Sequence, residues 1–119
     1  MGYYTHLNFA FALIDPVTFQ VSSMGPEVAA NYDALTSLKG SQPDLKVWLS
    51  IGTCSLAYFS YSPSRVLMHC LGGWSMNDPG STATTFSDLA GSSAAQTKFF
   101  NSLITFMISH GFDGVDIDW

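Results

Sequence analysis

The chain has few basic residues, few cysteines and no long apolar run, and each absence excludes a class of protein. Only four of its 119 residues are Lys or Arg, against nine Asp or Glu, so the formal net charge is -5. Such a chain cannot assemble a basic patch to neutralise phosphates, which excludes nucleic acid as a partner. No apolar run reaches the roughly 18 residues of a membrane span, so we expect no membrane insertion. Two cysteines and His69 fall short of the four ligands and usual spacing of a zinc site, so no metal is expected.

The chain has enough apolar residues to form a hydrophobic core. It is 47% hydrophobic and 14% aromatic, which is typical of a folded domain and not of a disordered segment. At this length it is one domain or part of one. It begins directly with strand-like sequence, so no signal peptide is expected within it. Because it ends inside a motif, we expect an incomplete chain.

The last nine residues, 111–119, read as a buried parallel strand with acidic side chains near its end. Residues two apart in a strand point to the same face, so Asp116 and Asp118 share one face. The apolar residues that alternate with them take the other. Two acids in an apolar strand are costly unless they are paired, hydrogen-bonded or used in chemistry. The alternative is a strand-end acidic cluster that binds a cation or caps a helix.

The sequence predicts one strand–helix–strand unit over Thr5–Lys46. The stretch Tyr3–Ile14 is rich in aromatic and apolar residues, and is predicted as a strand buried on both faces. A loop over Asp15–Pro26 leads to a helix that stops near Gly40. A second buried strand covers Leu45–Gly52. Three- and four-residue spacings predict that Val28, Leu35 and Leu38 lie on one face of the helix, with Tyr32 nearby.

A second unit ends the chain. Ser93-Ala94-Ala95-Gln96 has the pattern of a capping box and predicts a helix that runs to His110. Gly111 is expected to end this helix before the terminal strand. The buried stripe of the helix is predicted to comprise Phe99, Phe100, Leu103, Phe106 and Met107.

Repeated strand–helix units with acids and glycines at the strand ends predict an α/β fold that is part of a (β/α)8 barrel. Such barrels take roughly 250 residues and have their active sites at the carboxyl ends of the strands. The chain supplies three strands and two helices of one. A Rossmann-type sheet is the alternative, but the sequence has no G-x-G-x-x-G phosphate loop.

Two motifs resemble one family. Asp113-x-x-Asp116-x-Asp118-Trp119 resembles the D-G-x-D-x-D-W-E signature of family 18 glycoside hydrolases, the retaining chitinases. The stretch Thr5–Phe11 resembles the T-H-L-x-[FY]-A-F core of that family's second barrel strand, and is most similar to fungal chitinases of the killer-toxin-like group. The resemblance implies barrel strands two to four. The glutamate that ends the signature would follow Trp119.

The segment 53–72 interrupts a further motif. Deleting it joins Leu49–Gly52 to Gly73–Ser75, and the resulting L-S-I-G-G-W-S resembles the family's second signature, S-x-G-G, on the third strand. The segment therefore splits the motif where glycines let backbone approach substrate.

We favour a translated intron as the origin of segment 53–72, because the permitted codons include a donor-like sequence at Gly52-Thr53-Cys54 and an acceptor at Leu71-Gly72. The alternative is a genuine loop insertion at the active-site face, which a Cys54–Cys70 disulfide could hold.

The resemblance implies hydrolysis of chitin by a substrate-assisted mechanism, in which the substrate's own acetamido oxygen attacks the anomeric carbon. Asp118 would hold the acetamido group, Asp116 would share a proton with it, and Asp113 would be structural. The expected general acid is the glutamate after Trp119. Without it, the 119 residues alone are expected to show little activity.

Other matched positions imply sugar contacts. Phe11 would lie at the strand's end and line the sugar site, or it could be core. Trp74 would stack on a sugar ring, or it could pack under its own loop. Ser50 and Gly73 belong to the substrate-binding motif, and Gly52 would be structural within it.

The implied partner is chitin or a chito-oligosaccharide, with no organic cofactor, in a full-length protein that is extracellular and monomeric. Residues 1–119 would be an incomplete catalytic barrel domain that contains the 53–72 insertion. Two alternatives stay open. One is a chitin-binding, lectin-like relative without catalysis. The other is a non-enzymatic α/β domain with a structural acidic cluster.

Overall fold

The computed structural model describes residues 4–52 and 75–119. The predicted insertion 53–72, with both cysteines, lies outside the described residues, as do Gly73 and Trp74. The predictions placed on them therefore stay predictions.

Within these two ranges, four strands form one sheet in the order β2-β1-β3-β4. They are β1 (His6–Ile14), β2 (Val21–Ser23), β3 (Lys46–Ile51) and β4 (Gly114–Ile117). β1 pairs in parallel with β3, and β3 with β4, which confirms the three predicted strands. β2 runs antiparallel to β1 within the stretch predicted as a loop. At three residues, it is too short to show a period in the sequence.

In the part of the chain that the structure describes, three α-helices accompany the sheet, where the sequence predicted two. They are α1 (Pro26–Thr36), α2 (Thr85–Gly91) and α3 (Ser93–His110), with 3-10 turns at Ser37–Gly40 and Ser75–Asn77. The seven-residue α2 was missed because two turns are too few for a clear helical period. α1 begins with a proline, whose fixed φ suits the first turn. Its buried residues recur every fourth position, at Val28, Tyr32 and Thr36.

The ends of α3 correct one prediction and confirm another. The N-cap is Ser92 and not Ser93, because the Ser92 side chain accepts a hydrogen bond from the Ala95 N–H at 3.3 Å. The Gln96 side chain donates instead to the Ala90 carbonyl at 2.9 Å. Gly111 ends the helix as predicted, with a left-handed φ of 74° that favours glycine.

The core lies between the sheet and the helices, and its most buried large side chains are Tyr32, Val47, Leu49, Ile51 and Met76. Two predicted core residues are exposed: Leu38 at 41% and Phe100 at 53%. Leu38 lies in the 3-10 turn, which takes it off the buried stripe of α1. Phe100 follows the buried Phe99 directly, and adjacent helical residues point about 100° apart. Only one of them can face the core.

The burial predicted for two strands is also wrong in part. β4 is the edge of the described sheet, and Asp116 and Ile117 in it are exposed. The first half of β1 alternates between exposed and partly buried residues, and becomes buried only from Phe11 onward. The apolar sequence of these strands is typical of a sheet that is covered on both faces. The described helices and loops cover the two faces of this sheet only in part.

Candidate active site at the carboxyl ends of the strands

Ser50 and Asp116 form the centre of the candidate site. The register of β3 and β4 puts them opposite each other, and the Ser50 Oγ donates to the Asp116 Oδ2 at 3.0 Å. Ser50 is 5% exposed, whereas the Asp116 residue is exposed. The buried hydroxyl therefore orients a carboxylate that remains open to a ligand. Both residues lie toward the carboxyl ends of their strands, where parallel α/β sheets place their sites.

Asp118 follows β4 directly and is tied to the same strand pair. Its N–H donates to the Ile51 carbonyl at 3.0 Å, which extends the pairing beyond the last residue of β4. This bond keeps the backbone extended, so the period of two applies and the Asp116 and Asp118 side chains share a face. Asp118 is partly buried. The two acids singled out in the sequence thus both lie at the carboxyl end of β4.

Asp113 is placed elsewhere, at the amino end of β4. Its Oδ2 accepts from the Val47 N–H at 2.8 Å and lies 3.0 Å from the Lys39 Nζ. Partial burial acts to raise the pKa of Asp113, but the Val47 hydrogen bond and the Lys39 charge outweigh it and the pKa is lowered. The carboxylate therefore stays ionised and links the start of β4 to the backbone of β3 and to the Lys39 side chain.

Phe11 lies level with the Ser50–Asp116 pair. Ala10 is the register partner of Ser50, and the register shifts between Ala10 and Ala12, so Phe11 bulges from the ladder. The Ala10–Phe11 peptide bond is cis. Phe11 is 6% exposed, yet within residues 4–52 and 75–119 it does not belong to the main core cluster.

Tyr32 was not predicted as a site residue, although it holds the backbone of Phe11. Its hydroxyl donates to the Phe11 carbonyl at 2.8 Å. The sequence showed Tyr32 near the apolar face of the helix, but no local pattern indicated that it bonds to Phe11. Gly52 donates its N–H to the Ala12 carbonyl at 3.1 Å, which continues the sheet at the same end.

Two aromatic contacts frame β4. Trp119 stacks on Phe86 of α2, with ring centroids 5.9 Å apart and planes inclined by 28°. At the other end of the strand, the Trp48 indole covers Gly114, where an added Cβ would lie only 2.8 Å from the ring. Glycine at this point of the D-G-x-D motif therefore gives room for the neighbouring indole. Neither Phe86 nor Trp48 carried a motif signal.

Within residues 4–52 and 75–119, no group of three His, Cys, Asp or Glu side chains is arranged to hold a metal ion. No helix in these ranges combines the length and apolar character needed to cross a bilayer.

Solved structures with the same fold confirm the α/β architecture predicted as part of a (β/α)8 barrel. The chitinase-like agglutinin from Robinia pseudoacacia matches 98% of the chain with a TM-score of 0.67 and 25% identity. Human YKL-39, described as a pseudo-chitinase with retained chitooligosaccharide binding, matches 97% with a TM-score of 0.64 and 28% identity. The chain spans only 28% and 24% of these two structures.

Sequence comparison also finds chitinases among the similar proteins. Chitinase B of Serratia marcescens is 31% identical over 123 aligned residues, which cover 97% of the chain and 20% of that protein. The chain therefore spans about a fifth of the length of this curated relative. The family profile described as "Glycosyl hydrolases family 18" matches residues 55–119, more than half of the chain. The chain belongs to glycosyl hydrolase family 18.

Proposed function

We propose that the chain is the part of a chitinase-type domain that carries the carboxylates of the fourth barrel strand. The full-length protein hydrolyses β-1,4-linked N-acetylglucosamine polymers with retention of configuration. The observation that carries the proposal is the 3.0 Å contact of Ser50 with Asp116, two residues before Asp118, at the carboxyl ends of adjacent parallel strands.

The proposed mechanism uses the substrate's own acetamido group as nucleophile. Asp118 holds that group and stabilises the positive charge that develops on it. Asp116 shares a proton with Asp118, and the Ser50 hydroxyl orients Asp116 through its hydrogen bond. Asp113 has a structural role, which its backbone contacts support. In the family signature the general acid is the residue after the position of Trp119, and the proposal assigns the protonation of the leaving oxygen to it.

The sugar contacts are part of the same proposal. Phe11 borders the site from the second half of β1, three residues before the strand ends at Ile14, and its position level with Ser50 supports this role. Trp74 stacks on a sugar ring, Gly73 lets the backbone approach the ligand, and Ser50 belongs to the same substrate-binding motif. The full-length protein is proposed to be extracellular and monomeric.

A non-catalytic, chitin-binding relative is the second candidate. It is favoured by the structural similarity to YKL-39, which is described as keeping chitooligosaccharide binding as a pseudo-chitinase. The two candidates differ in the residue after Trp119. The catalytic proposal requires a glutamate there, and the binding proposal does not.

Sequencing of the transcript across codons 50–75 and beyond codon 119 separates these proposals. We expect a message that lacks codons 53–72 and continues from Trp119 with a glutamate codon. A message that retains the segment would overturn the intron hypothesis in favour of a loop insertion. A different residue after Trp119 would overturn catalysis and leave binding.

Ligand binding by the 119-residue chain tests the site itself. Calorimetry with the tetramer of N-acetylglucosamine should show binding, and the glucose tetramer, which has no acetamido group, should bind much more weakly. Asp118→Asn should weaken binding of the first ligand. Asp44→Asn is the matched control, because Asp44 is exposed and precedes β3 at the opposite end of the sheet. Equal affinity for both tetramers, or equal loss in both variants, would contradict the proposed site.

A further inference from the structure

Lys39 lies outside the carboxylate site, yet it contacts the segment that leads to it. It belongs to the 3-10 turn Ser37–Gly40 that follows α1. Its Nζ lies 2.5 Å from the Gly111 carbonyl oxygen and 3.0 Å from the Asp113 Oδ2. The side chains of this ion pair are only 28% and 24% exposed. One cation thus holds both the end of α3 and the start of the site strand.

The partner of Lys39 sets the start of the β3–β4 pairing. The Asp113 N–H donates to the Val47 carbonyl at 2.8 Å, and the Asp113 carboxylate accepts from the Val47 N–H at 2.8 Å. The carboxylate therefore takes the place that a backbone carbonyl would have in the sheet. This arrangement puts a negative charge at the amino end of β4. The Lys39 ammonium balances it in direct contact, and the charge of Lys46 also acts on it.

The pairing that starts at Asp113 continues to the site without interruption. Gly114 pairs with Trp48, and two residues later Asp116 pairs with Ser50. At the far end the Asp118 N–H bonds to the Ile51 carbonyl. β4 has only four residues and, in the described sheet, pairs on one side. Such a strand has few bonds of its own, so its two ends determine where its carboxylates lie.

We infer that Lys39 is a positioning residue, which holds Asp113 against β3 and thereby fixes the register that brings Asp116 to Ser50 and Asp118 to Ile51. This inference deepens the proposed function and rests on it for the ligand measurement alone. Its structural part stands on the contacts of Lys39, Asp113 and Val47.

The test compares Lys39→Met with Lys39→Arg and Lys98→Met in the 119-residue chain. Amide hydrogen exchange at Asp118 reports the far end of β4, and exchange at Leu103 in α3 reports global stability. We expect Lys39→Met to speed exchange at Asp118 by about tenfold, the equivalent of one charge-assisted hydrogen bond. Lys39→Arg should restore the slow rate, because a guanidinium can donate to a carbonyl and a carboxylate together. Lys98→Met removes an exposed charge of the same kind on α3 and should leave both rates unchanged.

Across the three variants, affinity for the tetramer of N-acetylglucosamine should fall where exchange at Asp118 becomes faster. It should stay unchanged where the exchange rate is unchanged. Unchanged exchange at Asp118 in Lys39→Met would overturn the inference, as would an equal increase at Leu103, which would show a general loss of stability. If Lys39→Met does not fold, Lys39→Gln, which keeps donors without charge, replaces it under the same criteria. If the unaltered chain binds no tetramer, the proposed function fails, and the exchange ratio alone decides the role of Lys39.

Discussion

The phenolic hydroxyl of Tyr32 donates to the backbone carbonyl of Phe11 at 2.8 Å, and this bond links α1 to the second half of β1 beside the candidate site. Tyr32 is fully buried, and its ring makes edge contacts with Phe9, Phe106 and Phe112. A helix residue with no motif signal thereby sets the position of a strand residue that the motif had singled out.

Replacing Tyr32 by Phe should lower the free energy of unfolding by about 1–3 kcal/mol, because the buried Phe11 carbonyl would lose its donor. Urea denaturation at pH 7 measures the loss. Tyr4→Phe is the control, since it removes a hydroxyl from a largely exposed ring. Equal stability of the two variants would contradict the importance of the Tyr32–Phe11 bond.

The same residue predicts a loss of stability at alkaline pH. Burial raises the pKa of Tyr32 to about 12, against an ordinary value of 10.0. Below pH 10 the phenol is protonated in both states. Between pH 10 and 12 the unfolded chain loses the proton while the folded chain keeps it, so stability falls as the pH rises. Denaturation midpoints over this range should fall more steeply in the unaltered chain than in Tyr32→Phe; parallel curves would contradict the assignment.

Asp113→Asn should change the acid side of the stability profile. The pKa of Asp113 is lowered in the folded chain, because the Val47 and Lys39 contacts outweigh the effect of burial. Its contribution is therefore present above the ordinary carboxyl pKa of about 4 and is lost as the pH falls below it. We expect a loss of up to about 1 kcal/mol at pH 7, since the ion pair is partly exposed, and a smaller difference at pH 3. A difference that grows on acidification would contradict this sign.

Gly114→Ala should displace the Trp48 indole. The new Cβ would lie 2.8 Å from its Cε2, well inside ordinary contact. Overpacking of this kind costs about 1–3 kcal/mol. Because Trp48 is partly exposed already, its ring should move toward solvent, and the tryptophan fluorescence should shift to longer wavelength. Gly91→Ala is the control, since nothing lies within 4 Å of its added Cβ. Identical spectra for both variants would show that the ring is not in contact.

Adjacent residues of α3 should respond very differently to truncation. Leu103 is 5% exposed and belongs to the core, whereas Ile104 is 56% exposed. Leu103→Ala should cost about 2–5 kcal/mol through lost burial and a cavity. Ile104→Ala should change stability by about 0.5 kcal/mol at most. Urea midpoints of the two variants measure the contrast, and similar losses would mean that Ile104 is covered in solution.

Several parts of the fold could be predicted from local pattern. The three parallel strands, the helix ended by Gly111 and the family membership all come from signals within a few residues of one another. These signals are period two, period 3.6, a glycine stop and a short acidic motif. The misses also have local reasons. β2 and α2 are too short for a period, and the wrong N-cap came from two adjacent serines, Ser92 and Ser93, that both suit the position.

The sequence alone determined that the chain belongs among α/β folds, and it predicts that Asp116 and Asp118 share a face, because both follow from backbone periodicity. Only the tertiary structure decided that Ser50 meets Asp116, that Tyr32 holds Phe11 and that Lys39 meets Asp113. These partners lie 66, 21 and 74 residues apart in the chain. Such contacts depend on strand register and on the packing of helices against the sheet, which no local pattern of side chains encodes.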